Sequence, residues 1–312
     1  MLGKVTIIGA GMTGATTALW LAEREVADIV LVDVLEGIPQ GKALDLQEAM
    51  PVVGKDVAIV GTNDYRETAG SDIVVITAGQ PRTPGMSRED LLAKNAHIVQ
   101  DVTRKALSYS PQAILVVLTN PLDAMAYLAM RVGELPPHRV VGQAGILDSA
   151  RMRTFVALEL GVSVENVHCY VLGGHGDDML PLTRHSNVAG IPLCDLLPPD
   201  RLAAIVERTR KGGGEIVGLL KTGSAYYAPG AALAQMVEAI LKGKHLILPA
   251  SAYMQGEYSL EDIFFGVPVQ LGRGGVENIL EYSLNDEEQA ALEKSAESVR
   301  QSIRTLLTLV RI

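Results

Sequence analysis

The chain has 312 residues, 48% of them hydrophobic and 20% charged, and its 36 acidic and 27 basic side chains give a formal net charge of −9. This ordinary globular composition excludes a disordered chain, a collagen and a coiled coil, and the length predicts two domains or one large one. A chain with this negative charge repels nucleic-acid phosphates and acidic lipid headgroups. We therefore expect neither nucleic acid nor a membrane as a partner.

Short runs rich in valine and isoleucine alternate with helix-like stretches through the first half of the chain. The runs are apolar throughout instead of alternating with polar residues, which predicts parallel strands buried on both faces and covered by helices. We therefore expect an α/β domain over residues 1–145, a Rossmann-type doubly wound parallel sheet. The predicted strands are Val5–Ile8, Ile29–Val32, Val57–Val60, Ile73–Thr77, Ile114–Leu118 and Val140–Val141.

Residues 5–22 carry no charged side chain, and such a segment could be a signal peptide or a membrane span. Three glycines and four threonines are unusual in a membrane span, and Lys4 alone is a weak basic region for a signal peptide. The segment contains a GxGxxG motif at residues 9–14, between the first predicted strand and an apolar helix over residues 15–25. We therefore expect a buried strand, a glycine turn and a buried helix.

The glycine motif in this setting predicts a dinucleotide site. Gly9 would make the tight turn, Gly11 would let a pyrophosphate approach the backbone, and Gly14 would let the helix pack closely on the strand. The N-terminus of the helix would face the anion. Asp33 ends the second predicted strand, where an acid accepts hydrogen bonds from a ribose diol and repels a 2′-phosphate. The pattern favours NAD over NADP, and a glycine turn without a ligand is the alternative.

Two arginines follow the fourth predicted strand, in a segment over residues 80–88 that also holds two prolines and a glycine. This composition predicts a shaped loop outside the carboxyl end of a strand, where open α/β sheets bind ligands. A single loop arginine is usually a solvated surface charge. Arg82 and Arg88 together, in an acidic chain and beside a dinucleotide turn, indicate a local site for an anion.

More polar residues follow the next two predicted strands. Asn120 precedes a proline, Asp148 and Arg151 stand three apart and share a face if helical, and His175 lies between glycines that allow close approach. Each has a structural alternative: a turn, a helix cap, an ion pair with a structural acid, and a structural histidine. Their joint occurrence near the dinucleotide turn favours a functional site.

The second half of the chain changes character near residue 145, and we expect an α+β domain with antiparallel strands over residues 146–312. A short hairpin is predicted around Thr183–Leu193, and an antiparallel sheet from His245 to Tyr282. The boundary shows no linker or low-complexity tract. We therefore interpret it as a change of architecture and not as a flexible tether.

Two long helices are predicted in this half. The last has an apolar stripe, and Asn285 with Glu288 can cap its start. The other runs from about Pro199 to Leu220 and contains glycines at 212–214. Each glycine costs about 1 kcal/mol in a helix interior, so we expect a bend or a break there. The stripe consists of Leu292, Ala296, Val299, Ile303, Leu306 and Val310.

Cysteine and histidine spacing excludes two kinds of site. Cys169 and Cys194 form no CxxC motif and no disulfide framework, which is typical of a reducing compartment such as the cytoplasm. The six histidines show no HxxxH or HExxH spacing, so no metal site is predicted.

These motifs match a known family, because the sequence closely resembles the lactate/malate dehydrogenases along essentially its whole length. GAGMTG, TAGQPRTPGMSREDLL, TNPLD, GILDSARMR and GGHGDDMLPL fall in the family's order and at its spacing. Within the family the resemblance is to the malate-specific branch that is similar to lactate dehydrogenase. It implies malate and oxaloacetate as substrates, NAD as cofactor, and a homo-oligomer, with a tetramer favoured over a dimer.

The resemblance also implies roles for single residues. His175 would be the acid/base and Asp148 would orient it. Arg151 would bind the C1 carboxylate of the substrate, Arg88 would polarise the reacting C2 oxygen, and Arg82 would bind the second carboxylate. The residues implied to line the cofactor are Gly9, Ala10, Gly11, Met12, Thr13, Gly14, Asp33, Asn95, Leu118, Thr119 and Asn120.

Chemistry supports these roles. Hydride transfer to a ketone develops negative charge on oxygen, which a protonated histidine can neutralise, and an arginine fork clamps a carboxylate through two parallel bonds. Oxaloacetate has two carboxylates and needs two clamps, whereas lactate dehydrogenases have glutamine at the position of Arg82. By resemblance, Asn120 would hydrogen-bond near the substrate oxygen and the nicotinamide, and its bond to Pro121 would be cis.

Three other functions stay open at this point. An L-lactate dehydrogenase would prefer pyruvate to oxaloacetate, and Arg82 argues against it. A family 4 glycosidase binds NAD on a related fold, but it is longer and uses a Cys/His metal site that this spacing lacks. An NAD-sensing module would bind the cofactor without consuming NADH, and it has no need for Asp148, Arg151 and His175 together.

Overall fold

A computed structural model describes residues 2–81, 87–176 and 178–310, and it describes Arg88 by its backbone alone. Strands and helices alternate along the first half, as predicted. The strands of this half are β1 Gly3–Ile8, β2 Ala27–Val32, β3 Ile59–Thr62, β4 Ile73–Ile76, β5 Ile114–Val117 and β6 Val140–Gly142. The helices beside them are α1 Met12–Glu23, α2 Ile38–Val52, α3 Arg88–Tyr109, α4 Leu122–Val132 and α5 Gly145–Leu160.

The second half contains shorter strands and then longer ones. Its strands are β7 Val167–His168, β8 Val171–Leu172, β9 Leu180–Pro181, β10 Asn187–Val188, β11 Ile191–Pro192, β12 Leu246–Gln255, β13 Glu261–Gly272 and β14 Gly275–Ile279. Its helices are α6 Leu193–Leu196, α7 Pro199–Leu220, α8 Tyr227–Leu241 and α9 Asp286–Leu309.

A nine-stranded sheet runs through both halves in the order β14-β13-β12-β6-β5-β4-β1-β2-β3. The six strands from β6 to β3 are parallel, which confirms the Rossmann-type doubly wound sheet. β1 lies between β2 and β4, so the strand order reverses there. In such sheets the ligand crevice opens at the carboxyl ends of the strands, at the point of reversal.

Each predicted strand of the first half overlaps an observed one, and the largest displacement is at β3. That strand starts at Ile59, two residues later than predicted, because its ladder with β2 begins there. The carbonyl of Val57 accepts instead from the side chain of Gln47 at 3.0 Å. Tertiary contact thus replaces strand pairing at the start of this apolar run.

The antiparallel part of the fold is also confirmed. β10 and β11 form the predicted hairpin, and β12, β13 and β14 pair in antiparallel order. β12 joins the parallel sheet through the pairing of Ser251 with Gly142 on β6. The change of architecture near residue 145 therefore takes place within one continuous sheet.

The two long helices differ in their agreement with prediction. α9 has the predicted capping box between Asn285 and Glu288, and its apolar stripe is buried. Of the predicted bend or break at the glycines of α7, the break is wrong, because the helix is continuous from Pro199 to Leu220. Two of these glycines, Gly212 and Gly213, lie beside Arg151 of α5.

The uncharged stretch at the start of the chain is β1, the glycine turn and most of α1, as predicted. Within the described ranges, none of the helices combines the length and the apolar character that crossing a membrane requires. Most of the side chains in β1 and on the inner face of α1 are buried in the main core instead.

Candidate active site

The glycine motif forms a tight turn after β1. Gly9 has φ +103°, and a Cβ there would lie 2.7 Å from the backbone nitrogen of Ala78. A Cβ on Gly14 would collide with the carbonyl oxygen of Gly9, whereas a Cβ on Gly11 would meet no atom within 4 Å. Packing therefore requires glycine at the first and third positions, and the second opens onto free space.

The N-terminus of α1 fits a pyrophosphate. The helix starts at Met12, three residues earlier than predicted, with Gly11 as its N-cap, and no side chain of the described residues caps it. The N–H groups at Met12 and Thr13 therefore face the opening beside Gly11 without a side-chain acceptor. A helix N-terminus in this state binds anions through its N–H groups and its dipole.

Asp33 follows β2 and lies against the glycine turn. Its Oδ2 accepts from the backbone nitrogen of Ala10 at 2.8 Å, and its Oδ1 accepts from that of Leu35 at 3.1 Å. Each oxygen keeps a lone pair for a further donor. Lys42, which sequence reasoning missed, donates to the carbonyl of Ala10 at 2.7 Å and places a cation beside the turn. Its position on α2, in no recognised motif, gave no signal.

Two predicted cofactor residues tie the strand ends together. Asn95 of α3 is 1% exposed, and its amide accepts from the nitrogen of Gln80 at 2.8 Å and donates to the carbonyl of Asn120 at 2.7 Å. The hydroxyl of Thr119 donates to the carbonyl of Ala78 at 2.7 Å. Both side chains therefore hold the backbone segments after β4 and β5 together at the edge of the cleft.

The end of β5 places an amide at this edge. Leu118 donates its backbone N–H to the carbonyl of Ile76 at 2.9 Å and continues the ladder with β4. Asn120, two residues on, is exposed, and its bond to Pro121 is cis, as the resemblance implied. The amide of Asn120 is thus free to reach a ligand at the carboxyl edge.

The carboxylate of Asp148 connects the other two predicted site residues, His175 and Arg151. Asp148 lies in the first turn of α5 and is 1% exposed. Its Oδ2 is 2.9 Å from Nδ1 of His175, and its Oδ1 accepts from Nη1 of Arg151 at 2.8 Å. The structure therefore brings together an imidazole and a guanidinium that are 24 positions apart in sequence.

The electrostatics of this set favour a protonated imidazole. Burial alone would lower the pKa of His175, but the charge and hydrogen bond of Asp148, followed by the charge of Asp123, raise that pKa above its usual value, against a smaller opposing effect of Arg151. The histidine side chain keeps 20% exposure. It can therefore exchange a proton with a molecule in the cleft.

The glycines of α7 leave room for the guanidinium. A Cβ on Gly212 would lie 3.0 Å from Cδ of Arg151, and a Cβ on Gly213 would lie 3.5 Å from its Nη2. A Cβ on Gly214 would meet nothing within 4 Å. Gly212 is therefore the glycine whose missing side chain leaves room for Arg151, since a Cβ on Gly213 would make only an ordinary van der Waals contact.

The segment over residues 80–88 is described only at its ends. Arg82 and the side chain of Arg88 lie outside the described residues, so their contacts stay predictions. Beyond them, the hydroxyl of Ser87 accepts from the backbone nitrogen of Asp90 at 3.0 Å and caps α3.

Sequence reasoning missed a buried acid beside the histidine. Asp123 of α4 is 7% exposed, and its Oδ2 accepts from the backbone nitrogen of His175 at 3.0 Å. Asp123 is the last residue of the motif TNPLD, three residues after Asn120. The motif was recognised, but no role was predicted for its acid. The signal in the sequence was an acid within residues 122–130 of α4, which are otherwise uncharged.

Comparison with known proteins agrees with this geometry. The model of the lactate/malate dehydrogenase NAD binding domain matches residues 3–142, and that of the lactate/malate dehydrogenase alpha/beta C-terminal domain matches residues 146–310. The chain belongs to the lactate/malate dehydrogenase family. It is thus an NAD-dependent oxidoreductase, and the glycine turn is part of its NAD-binding domain.

Individual members of the family are similar over their full length. The malate dehydrogenase of Roseiflexus sp. (strain RS-1) is 60% identical over 306 residues, which cover 98% of this chain and 99% of that protein. The structure of the malate dehydrogenase of Picrophilus torridus has a TM-score of 0.97 at 46% identity and covers 99% of this chain and 98% of that chain.

A lactate dehydrogenase of the family is nearly as similar in structure. That of Cryptosporidium parvum, in complex with lactic acid and nicotinamide adenine dinucleotide, has a TM-score of 0.95 at 41% identity. It covers 98% of each chain. The fold is therefore shared by both kinds of dehydrogenase, and overall shape does not distinguish their substrates.

Proposed function

We propose that the chain catalyses reversible hydride transfer between (S)-malate and NAD, giving oxaloacetate and NADH. The observation that carries the proposal is the buried carboxylate of Asp148, which binds the imidazole of His175 and the guanidinium of Arg151 at 2.9 and 2.8 Å. The names of the similar Roseiflexus and Picrophilus proteins support the choice of malate.

His175 serves as the acid/base in this proposal. A carboxylate only accepts hydrogen bonds, so Asp148 holds the proton of the neutral ring on Nδ1 and leaves Nε2 to exchange a proton with the substrate oxygen. In ketone reduction the imidazolium donates that proton to the developing alkoxide, and in alcohol oxidation neutral Nε2 accepts it. Asp148 stabilises the imidazolium in both directions.

Arg151 binds the C1 carboxylate of the substrate. Its Nη1 is engaged by Asp148, which fixes the plane of the guanidinium, and the side chain is 14% exposed. Nη2 is left to donate into the cleft. A charge-assisted bond of this kind orients the reacting carbon relative to His175.

The glycine turn and Asp33 hold the cofactor. The open space beside Gly11 and the uncapped start of α1 take the pyrophosphate, and Asp33 takes the adenosine ribose diol. Bound NAD supplies the hydride acceptor and NADH the hydride donor. Asn120 stands at the edge of the cleft, where its amide can orient the nicotinamide and the substrate oxygen.

Arg88 and Arg82 complete the site in this proposal. Arg88 polarises the C2 oxygen, and Arg82 binds the second carboxylate, which distinguishes oxaloacetate from pyruvate. An unpaired charge in a closed site costs on the order of 3–5 kcal/mol, which corresponds to roughly two to four decades in kcat/KM.

A spectrophotometric assay of NADH oxidation tests the proposal. Oxaloacetate should be reduced far faster than pyruvate, and NADPH should replace NADH poorly. The variant Arg82→Gln should lose most oxaloacetate reduction and gain some pyruvate reduction. A wild-type preference for pyruvate would make the chain a lactate dehydrogenase, and an unchanged preference in the variant would remove Arg82 from its role.

The same proposal includes a homo-oligomer, with a tetramer favoured over a dimer, in the cytoplasm. Several large apolar side chains on and before α2 are exposed in the single chain, which suits burial between subunits. Sedimentation equilibrium gives the number of subunits, and a monomer at micromolar concentration would contradict the assembly. These side chains are Val34, Leu35, Ile38, Leu44, Val52 and Val53.

A further inference from the structure

The backbone around His175 is fixed by contacts from three elements. The nitrogen of Gly173 donates to the carbonyl of Gly266 on β13 at 2.9 Å. The nitrogen of Gly174 donates to Oγ of Ser295 on α9 at 3.0 Å. The nitrogen of His175 itself donates to Oδ2 of Asp123 on α4. Asp148 of α5 fixes only the ring, so Asp123 is the acid that fixes the backbone.

The carboxylate of Asp123 is buried and has no cationic side chain in an ion pair within the described ranges. Its second oxygen, Oδ1, accepts from the hydroxyl of Ser251 at 2.6 Å, and Ser251 on β12 is fully buried. Burial raises the pKa of Asp123, against the lowering effects of the hydrogen bonds from Ser251 and from the backbone of His175. Burial thus opposes a charge on this carboxylate, whereas the contacts from Ser251 and His175 favour one.

We propose that Asp123 is a positioning residue, whose carboxylate fixes the backbone of His175 and places a second negative charge beside the imidazole. This role rests on the proposed function, since it acts through the acid/base of the hydride transfer. The position at the start of α4 suits the charge, because a helix N-terminus stabilises an anion.

The charges around the imidazole can be named element by element. Among the described residues, α5 presents Asp148 and Arg151, and α4 presents Asp123. β12 and α9 present Ser251 and Ser295, which do not titrate in the working range. Removal of the charge on Asp123 therefore leaves Asp148 opposed by Arg151, and the imidazolium becomes less stable.

Asp123→Asn separates charge from geometry. The amide oxygen can accept from the nitrogen of His175 while the amide nitrogen donates to Ser251, so both hydrogen bonds survive. We expect the decline of oxaloacetate kcat/KM with rising pH to move to lower pH, with the Kd for NADH within twofold. Because the folded protein disfavours the charge, the variant should melt no lower than the wild type at neutral pH.

Asp200→Asn is the matched control. Asp200 also lies in the first turn of a helix, α7, but it is exposed. Its pH profile should coincide with that of the wild type. A shift of equal size in both variants, or no shift in a folded Asp123→Asn, overturns the proposal, as does a variant whose only change is a lower melting temperature.

A second variant covers the case in which Asp123→Asn does not fold. Ser251→Ala removes the hydroxyl that stabilises the carboxylate, so the same limb should move in the same direction by a smaller amount. Asp123→Ala, which removes the contacts to the backbone of His175 and to the hydroxyl of Ser251, should lower kcat/KM by about 10²-fold if it folds. A folded Ser251→Ala with the wild-type profile overturns the role.

A readout without turnover distinguishes this proposal from the proposed function. Diethyl pyrocarbonate modifies neutral imidazole, so the rate of modification of the His175 peptide against pH, followed by mass spectrometry, reports the proton on that ring. The profile should move to lower pH in Asp123→Asn whatever the substrate. A wild type inactive on oxaloacetate contradicts the proposed function, whereas identical modification profiles contradict the role of Asp123.

Discussion

At the carboxyl ends of β1 and β2 the cleft is made of backbone: a glycine turn, an uncapped helix and one acid that holds the turn. At the carboxyl ends of β5 and β6 it is made of side chains: those of α4 and α5 contact the histidine, and those of α9 and β12 contact its neighbours Gly174 and Asp123. In the proposed function, the first region binds an anion through groups that every residue has, so shape decides what it does. The second acts on a proton, so the charge and position of single side chains decide what it does.

The largest expected effect breaks the second region alone. In the proposed function, His175→Asn removes the group that donates a proton to the alkoxide, so kcat should fall by about 10²-fold or more. The Kd for NADH, measured by fluorescence, should stay within about threefold, a change worth less than 1.4 kcal/mol.

His138→Asn provides the control for that loss. His138 is exposed and precedes β6, at the opposite edge of the sheet. It should turn over like the wild type. Near-normal turnover of His175→Asn would remove the histidine from its role, and equal losses in both variants would point to damage of the fold.

A pair of glycine variants tests the first region. Gly14→Ala forces a Cβ against the carbonyl of Gly9, and such overpacking costs about 1–3 kcal/mol of unfolding free energy. Gly11→Ala has room in the fold, so its melting temperature should match the wild type while its Kd for NADH rises by about tenfold, or 1.4 kcal/mol. Thermal melts and NADH titration measure both, and equal effects in the two variants would contradict the division of roles.

A second pair tests the packing of the carboxylate clamp. Gly212→Ala places a Cβ 3.0 Å from Cδ of Arg151, so the guanidinium must shift, and KM for oxaloacetate should rise by about tenfold. Gly214→Ala meets no atom and should gain up to about 1 kcal/mol in unfolding free energy from helix propensity. Steady-state kinetics and denaturant melts measure the pair. An unchanged KM in Gly212→Ala would show that Arg151 does not need the space.

The smallest effect is a dependence on pH without any mutation. The pKa of His175 lies above its usual value because of Asp148 and Asp123. In the proposed function, the imidazolium is the form that donates the proton when NADH reduces the ketone. Oxaloacetate reduction should therefore persist at neutral pH and decline only as the pH rises through that raised pKa. Malate oxidation, which needs the neutral ring, should decline as the pH falls through it. If the rate of reduction declined with rising pH around a midpoint below pH 6.5, the usual pKa of histidine, the result would contradict the shift.

The two regions also differ in how far the sequence predicts them. The glycine turn and Asp33 are local in sequence, so spacing alone predicted a cofactor site there, although α1 begins earlier than its apolar residues suggested. Asp148 and Arg151 were identified because three residues along a helix share a face. The link to His175 came from resemblance, since no local rule places a residue 24 positions away.

Other features could not be predicted because their causes are tertiary. Glycines at 212–214 predict a bend or a break by propensity, but α7 is continuous, and one of them, Gly212, is explained by the packing of Arg151. The contact between Asp123 and the backbone of His175 joins positions 52 apart. Such contacts follow from the order of strands in the sheet, which a list of elements does not contain.

A crystal structure with NADH and a non-reducible four-carbon dicarboxylate tests the central claim most directly. The account predicts that Nε2 of His175 lies within hydrogen-bond reach of the oxygen on C2, that Nη2 of Arg151 binds the C1 carboxylate, and that the pyrophosphate lies at Gly11. A complex in which the dicarboxylate binds away from His175, with the nicotinamide on another face of the sheet, would contradict it.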